Sequence, residues 1–88
     1  MVESASDRKD GKVVAIVAAA GVGHRLGASL PKAFVTVGDH TLLEHALLRI
    51  DASHVVDEII IMAAFDMCAT AQEQAQGLNL APPVRVFP

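Results

Sequence analysis

Three glycines and two basic side chains follow the first strongly apolar run of this 88-residue chain. The stretch 18–32 reads AAAGVGHRLGASLPK, and it carries Gly21, Gly23, Arg25 and Lys32 without an acidic residue. Glycine lets a loop turn its backbone N–H groups towards a ligand at little steric cost, and arginine and lysine add positive charge. The stretch therefore predicts a site for an anion, and phosphoryl transfer requires little more from a protein than such positioning and charge.

The distribution of charge supports an anion site at this loop. The chain has a formal net charge of −3, yet no Asp or Glu occurs between Gly11 and Gly38. Lys12, Arg25 and Lys32 all lie within that window. The overall negative charge argues against nucleic acid or an anionic membrane surface as the partner, because both require an excess of Lys and Arg.

Two familiar glycine patterns fit the loop poorly. A Walker loop requires Gly-Lys followed by Ser or Thr, which the chain lacks. The dinucleotide fingerprint is G-x-G-x-x-G, whereas Gly21, Gly23 and Gly27 are spaced one residue too long. That fingerprint also requires an acid at the end of the second strand, and Asp66 is better placed to cap a helix.

A third pattern combines the glycines with two cations. Arg25 follows Gly23, the second glycine of the loop, by two residues. Lys32 directly follows Pro31 and comes seven residues after Arg25. Proline stiffens the backbone just before Lys32. If the loop curls around a triphosphate, Arg25 and Lys32 reach the same anion from two sides. Without further support, each is equally well explained as a solvated surface residue.

The surrounding segments predict strands and helices in alternation, as in an α/β fold. Strands are predicted over 13–18, 58–64 and 84–87. Helices are predicted over 41–50 and 67–76. Thr41 and Glu44 form a capping box at the start of the first helix, and Gly77 ends the second. A short extended piece is expected over 33–38. This order predicts three parallel strands and two helices, which is half of a doubly wound, Rossmann-like sheet and an apparently truncated one. We expect residues 1–11 to form a flexible tail, so that the first strand has an uncovered apolar edge.

The loop and the helix that follows it together resemble a known enzyme family. The stretch AAAGVGHRLGASLPKAFVTVGDHTLLEHAL is similar to the opening signature of the cytidylyltransferases that act on 2-C-methyl-D-erythritol 4-phosphate. The residues that carry the resemblance are Ala19, Ala20, Gly21, Gly23, Arg25, Gly27, Pro31, Lys32, Phe34, Gly38, Leu42, Leu43, Glu44 and His45. The first half is shared with sugar nucleotidyltransferases in general, and the LLEH tail favours the methylerythritol branch. Residues 12–88 then form the N-terminal part of a nucleotidyltransferase domain.

The resemblance implies transfer of CMP from CTP to methylerythritol phosphate, with release of pyrophosphate, in the synthesis of isoprenoid precursors. It implies that Arg25 and Lys32 stabilise the transition state as catalytic residues. It further implies that CTP contacts Ala19, Ala20, Gly21 and Gly23, mainly through backbone groups, together with the two cations. Mg²⁺ is the implied cofactor, with its ligand outside these 88 residues, and a homodimer is expected of a full-length form.

Two motifs of the family do not occur before Pro88. One is Gly-Gly-x-x-Arg-x-x-Ser-Val, which helps to hold the cytidine, and the other is an Asp-containing stretch that binds magnesium. We therefore expect the chain alone to be incomplete and without useful turnover. Alternatives are a short non-catalytic nucleotide-binding module and a fragment of a sugar-phosphate nucleotidyltransferase. The single cysteine, Cys68, fits a reducing cytoplasmic setting.

Overall fold

The computed structural model describes residues 2–7, 11–19 and 32–88, and all structural statements below concern these ranges. The elements run β1 (Val2–Asp7), β2 (Val13–Ala18), β3 (Thr36–Val37), β4 (His40–Thr41), α1 (Leu42–Ser53), β5 (Glu58–Met62), α2 (Cys68–Gly77) and β6 (Val84–Phe87). Two 3-10 turns, over Lys32–Phe34 and Phe65–Met67, precede β3 and α2.

The main sheet contains the three predicted parallel strands. Its strand order is β1-β2-β5-β6, and β2, β5 and β6 are parallel to one another. Each of these strands is rich in β-branched residues, which favour a pleated and buried backbone. The two helices connect neighbouring parallel strands, so the predicted α/β half-sheet is confirmed.

The prediction that β2 has no second neighbour is wrong. Strand β1 pairs antiparallel with β2 along its whole length, from Val2 opposite Ala18 to Asp7 opposite Val13. It lies within residues 1–11, the segment that the sequence assigned to a flexible tail. The physical reason is that an antiparallel partner needs only a short connection and satisfies the N–H and C=O groups along the edge of β2. The domain boundary at residue 12 stays a prediction.

The core lies between the sheet and the two helices. Val17, Ile59 and Ile61 of the sheet are fully buried, as are Leu43 and Leu47 of α1. Helix α2 contributes only small side chains, Ala71 and Ala75, which let its backbone pack close to β6. The predicted apolar face of α1 is confirmed, with Ile50 packed at its margin.

The predicted capping box fixes the start of α1. The Thr41 hydroxyl accepts a hydrogen bond from the Glu44 amide at 3.1 Å, and the Glu44 carboxylate accepts one from the Thr41 amide at 2.8 Å. The same hydroxyl donates to Oε1 of Gln74 in α2 at 2.8 Å. One nearly buried side chain thus caps one helix and joins it to the other.

We expect Thr41→Ala to lower the free energy of unfolding by about 1–3 kcal/mol, because it removes the cap and the bond to Gln74 together. Thr41→Ser keeps the oxygen and should restore most of the loss. The exposed Thr36 of β3 provides the matched control, Thr36→Ala. Urea unfolding followed by circular dichroism measures all three variants, and equal losses for the two alanine variants would contradict the assigned role.

The start of α2 differs from its prediction. Asp66 was expected to cap this helix, but the N-cap is Met67 and no side chain caps it. Instead, the amides of Met67 and Cys68 donate to the carbonyls of Ala64 and Phe65, as the 3-10 turn requires. Because these bonds already satisfy the first amides, no side-chain acceptor is needed there. Asp66 lies exposed within the turn.

Candidate functional site

The carboxyl ends of the three parallel strands lie side by side at one edge of the sheet. The Ala19 amide, just after β2, donates to the Met62 carbonyl at the end of β5, at 2.7 Å. The Ala63 amide donates in turn to the Phe87 carbonyl at the end of β6, at 2.9 Å. In open α/β sheets, ligands bind at this edge. In the sequence, the glycine-containing segment directly follows Ala19, which lies at this edge.

Most of the predicted site falls between the described ranges. Ala20, Gly21, Gly23 and Arg25 lie outside the described residues, so their predicted roles stay predictions. Ala19 and Lys32 are described, and they flank that segment on its two sides. The structure therefore describes only the two predicted site residues that border the glycine-containing segment.

Ala19 is enclosed at the end of β2. Its residue is 1 % exposed, and its amide is already bonded to the Met62 carbonyl. Its amide is therefore not available to a phosphate in this structure, and its predicted contact with CTP stays a prediction.

Lys32 is held by its neighbours in the sequence. It begins the 3-10 turn, in which Ala33 and Phe34 are 2 % and 5 % exposed. The Val35 amide closes the turn by donating to the Lys32 carbonyl at 3.1 Å. The predicted extended piece over 33–38 is thus wrong for its first two residues, because burying Phe34 requires the chain to turn inward. Lys32 itself is exposed.

The first turn of α1 holds the hairpin that follows Lys32. The Leu42 amide donates to the Val35 carbonyl at 3.0 Å, and Nε2 of His45 lies 2.7 Å from the Val37 carbonyl. The hairpin itself, β3 and β4, turns at Gly38, whose φ of +70° suits glycine. Sequence reasoning explained Glu44 as part of a capping box but assigned no contact to His45. A histidine one turn into a helix gives no such signal, because its partner is a backbone carbonyl.

Lys12 does not join the other cations. It immediately precedes Val13, the first residue of β2, whereas the site lies beyond the last residue, Ala18. At the rise of an extended strand, seven residues separate Lys12 from Ala19 by about 20 Å. The acid-free window in the sequence therefore contains cations from both edges of the sheet.

Neither a metal-binding cluster nor a membrane span occurs in the described ranges. Within 2–7, 11–19 and 32–88, no three His, Cys, Asp or Glu residues are grouped so that they could hold a metal ion. The helices of these same ranges are too short or too polar to cross a membrane.

Comparison with known proteins adds sequence relatives to this geometry. Residues 13–86 match the family model described as IspD, 2-C-methyl-D-erythritol 4-phosphate cytidylyltransferase. A protein of that name from Corynebacterium glutamicum is 51 % identical over 61 residues, which are 69 % of this chain and 24 % of the relative. Those from Nocardia farcinica and Shewanella amazonensis are 43 % and 37 % identical, over 88 % and 72 % of this chain and 31 % and 29 % of their own lengths.

The matched region includes both flanks of the glycine segment, the hairpin, both helices and all three parallel strands. The chain spans about a quarter to a third of the length of these relatives. The resemblance drawn from the loop and from the LLEH residues is confirmed over nearly the whole described fold. The chain belongs to the IspD family, that of the 2-C-methyl-D-erythritol 4-phosphate cytidylyltransferases.

Proposed function

We propose that this chain forms the CTP-binding part of a cytidylyltransferase that acts on 2-C-methyl-D-erythritol 4-phosphate. In that reaction, an oxygen of the substrate phosphate attacks the α-phosphorus of CTP. The bond from this phosphorus to the bridging oxygen breaks, and pyrophosphate leaves with the bonding electrons. The observation that carries the proposal is the family match over 13–86 together with an exposed Lys32 at the start of a turn whose other two residues are buried.

The cations have the main part in this proposal. Negative charge accumulates on the oxygens around the α-phosphorus and on the leaving pyrophosphate. Lys32, fixed by the buried turn behind it, supplies positive charge from one side of the segment, and Arg25 supplies it from within the segment. Gly21 and Gly23 offer backbone amides to the phosphates, and Ala20 lies next to them in the sequence.

Ala19 has a different part, because its residue is 1 % exposed and its amide is already used within the sheet. In this proposal it holds the start of the segment against the end of β5, and the phosphates extend along the segment towards Lys32.

The remaining components are inferred from the family alone. A divalent metal is consistent with the family, and we propose Mg²⁺, with ligands that we do not place among the described residues. From the family we also propose methylerythritol phosphate as the acceptor, a homodimeric full-length form and a cytoplasmic location.

Nucleotide binding by the purified 88-residue chain tests the proposal. We expect CTP with Mg²⁺ to shift the amide resonances of Ala19 and of Lys32–Phe34 in heteronuclear NMR spectra, and UTP to bind more weakly. With methylerythritol phosphate added, we expect no sustained release of pyrophosphate. Preference for NAD over CTP would contradict the proposal, as would resonance shifts confined to the opposite edge of the sheet. Equal binding of CTP and UTP would contradict the proposed selectivity for CTP.

A further inference from the structure

The hairpin between Lys32 and α1 has little packing of its own. Strands β3 and β4 have two residues each, and Thr36, Val37, Gly38 and Asp39 are all exposed. Two-stranded hairpins are at best marginally stable in water without packing against another element. The conformation of this hairpin therefore depends on the hydrogen bonds that join it to α1.

Two such bonds attach its first strand and the residue before it. The Leu42 amide binds the Val35 carbonyl, and the His45 ring binds the Val37 carbonyl at 2.7 Å. The bond from His45 is the shorter of the two. It is made by a side chain that lies about one helical turn after Leu42 in α1. It requires a proton on Nε2 of His45, which one neutral tautomer and the imidazolium form both supply.

The ring of His45 is itself held in place. The ring of His40, in β4, packs edge-on against it with the ring centres 5.6 Å apart. Nδ1 of His40 lies 3.7 Å from a carboxylate oxygen of Glu44, the residue that completes the capping box. The His45 ring is thus oriented by the same first turn of α1 that fixes the helix start.

These contacts continue to Lys32 through the backbone. Val35 connects the two parts, because its amide closes the turn on the Lys32 carbonyl and its carbonyl accepts from Leu42. We propose that His45 is a positioning residue for Lys32, since its bond to the Val37 carbonyl holds the hairpin and, through Val35, the turn that carries the lysine. This inference rests on the proposed function only for the claim that the position of Lys32 matters to a nucleotide.

Amide hydrogen exchange of the 88-residue chain tests the positioning directly. In His45→Leu, we expect the Val35 and Leu42 amides to exchange roughly two- to ten-fold faster, as expected for the loss of one hydrogen bond. Core amides such as that of Ile61 should keep their rates. His45→Gln, whose Nε2 reaches a similar position, should restore slow exchange. Unchanged exchange at Val35 would overturn the proposal, as would equal acceleration throughout the core.

The control is the exposed His54 at the other end of α1. His54 has a φ of +58°, which asparagine tolerates, so His54→Asn removes a histidine without straining the backbone. We expect this variant to leave the Val35 and Leu42 amides unaffected. Faster exchange there in His54→Asn would show that any change in α1 has the same effect, and would contradict a specific role for His45.

A double-mutant cycle with Lys32 separates positioning from general stabilisation. His45→Leu should weaken CTP binding by roughly two- to ten-fold in the otherwise unchanged chain, and should have no effect once Lys32→Ala is present. Additive losses would overturn the proposal. A chain that binds no CTP at all would contradict the proposed function, and the exchange rates would still decide the positioning role of His45.

Discussion

Replacing Phe34 by alanine is expected to lower the free energy of unfolding by about 3–5 kcal/mol, while the same change at Phe65 should alter it by less than about 0.5 kcal/mol. The two phenylalanines each lie in a 3-10 turn. Phe34 is 5 % exposed and belongs to the core cluster, whereas Phe65 is 86 % exposed. The pair therefore compares loss of core packing with loss of a surface side chain of the same type.

The loss at Phe34 is large in relation to the whole molecule. Natural domains are stable by about 0.05–0.15 kcal/mol per residue, which corresponds to roughly 4–13 kcal/mol for this length. Phe34→Ala is therefore expected to remove a substantial part of the total, and Phe34→Leu to remove less. Urea unfolding at constant temperature measures all three variants. A small effect at Phe34, or equal effects at the two phenylalanines, would show that the turn is not anchored in the core.

The parallel sheet is predictable from the sequence because its strands are short runs rich in β-branched residues. This composition distinguishes VVAIVA, EIIIM and VRVF from helices, although the second strand ends at Met62 and not at the predicted Ala64. Helix α1 is predictable for a second reason, since Thr41 and Glu44 mark its start and leucines follow at helical spacing. In these elements, local preference and tertiary packing agree.

The elements that the sequence did not predict have weak local signals. Strand β1 reads VESASD, whose polar composition indicates a tail, and it forms a strand because β2 offers it an unpaired edge. The turn at Lys32–Phe34 replaces the expected extended chain because tertiary packing buries Phe34. Asp66 has a suitable residue type for a cap, but the backbone bonds of a 3-10 turn already satisfy the amides that it would have bound.

Charge spacing in the sequence does not show which cations of the candidate site lie together. The grouping of Lys12 with Lys32 was suggested by an acid-free window, but a strand carries the chain from one edge of the sheet to the other, so charges close in sequence lie far apart in space. The role inferred for His45 had no signal in the sequence, because its partner is the carbonyl of Val37 and any residue type supplies a carbonyl.

The largest functional effect is expected for Lys32, and Lys12 provides its control because the two lysines lie far apart. Residues 12–86 can replace the aligned segment of the Nocardia farcinica relative, since the match covers 88 % of this chain and 31 % of the relative. In this chimeric enzyme, we expect Lys32→Ala to lower kcat/KM for CTP by about 10²–10³-fold, the usual effect of removing one group that stabilises transition-state charge. Arg25→Ala should act in the same way. The measurement is release of pyrophosphate with CTP and methylerythritol phosphate.

Lys12→Ala is the matched control, because it removes the same charge from an exposed lysine at the opposite edge of the sheet. At about 20 Å and physiological ionic strength, its charge is largely screened from the site, so we expect kcat/KM to stay within about two-fold. Equal losses for the two lysines would mean that overall charge, and not the turn anchored by Phe34, determines activity. An inactive chimera in which the sheet is folded would contradict the proposed function itself. A selective loss at Lys32 would instead assign the positive charge that catalysis needs to Lys32 and to the turn that carries it.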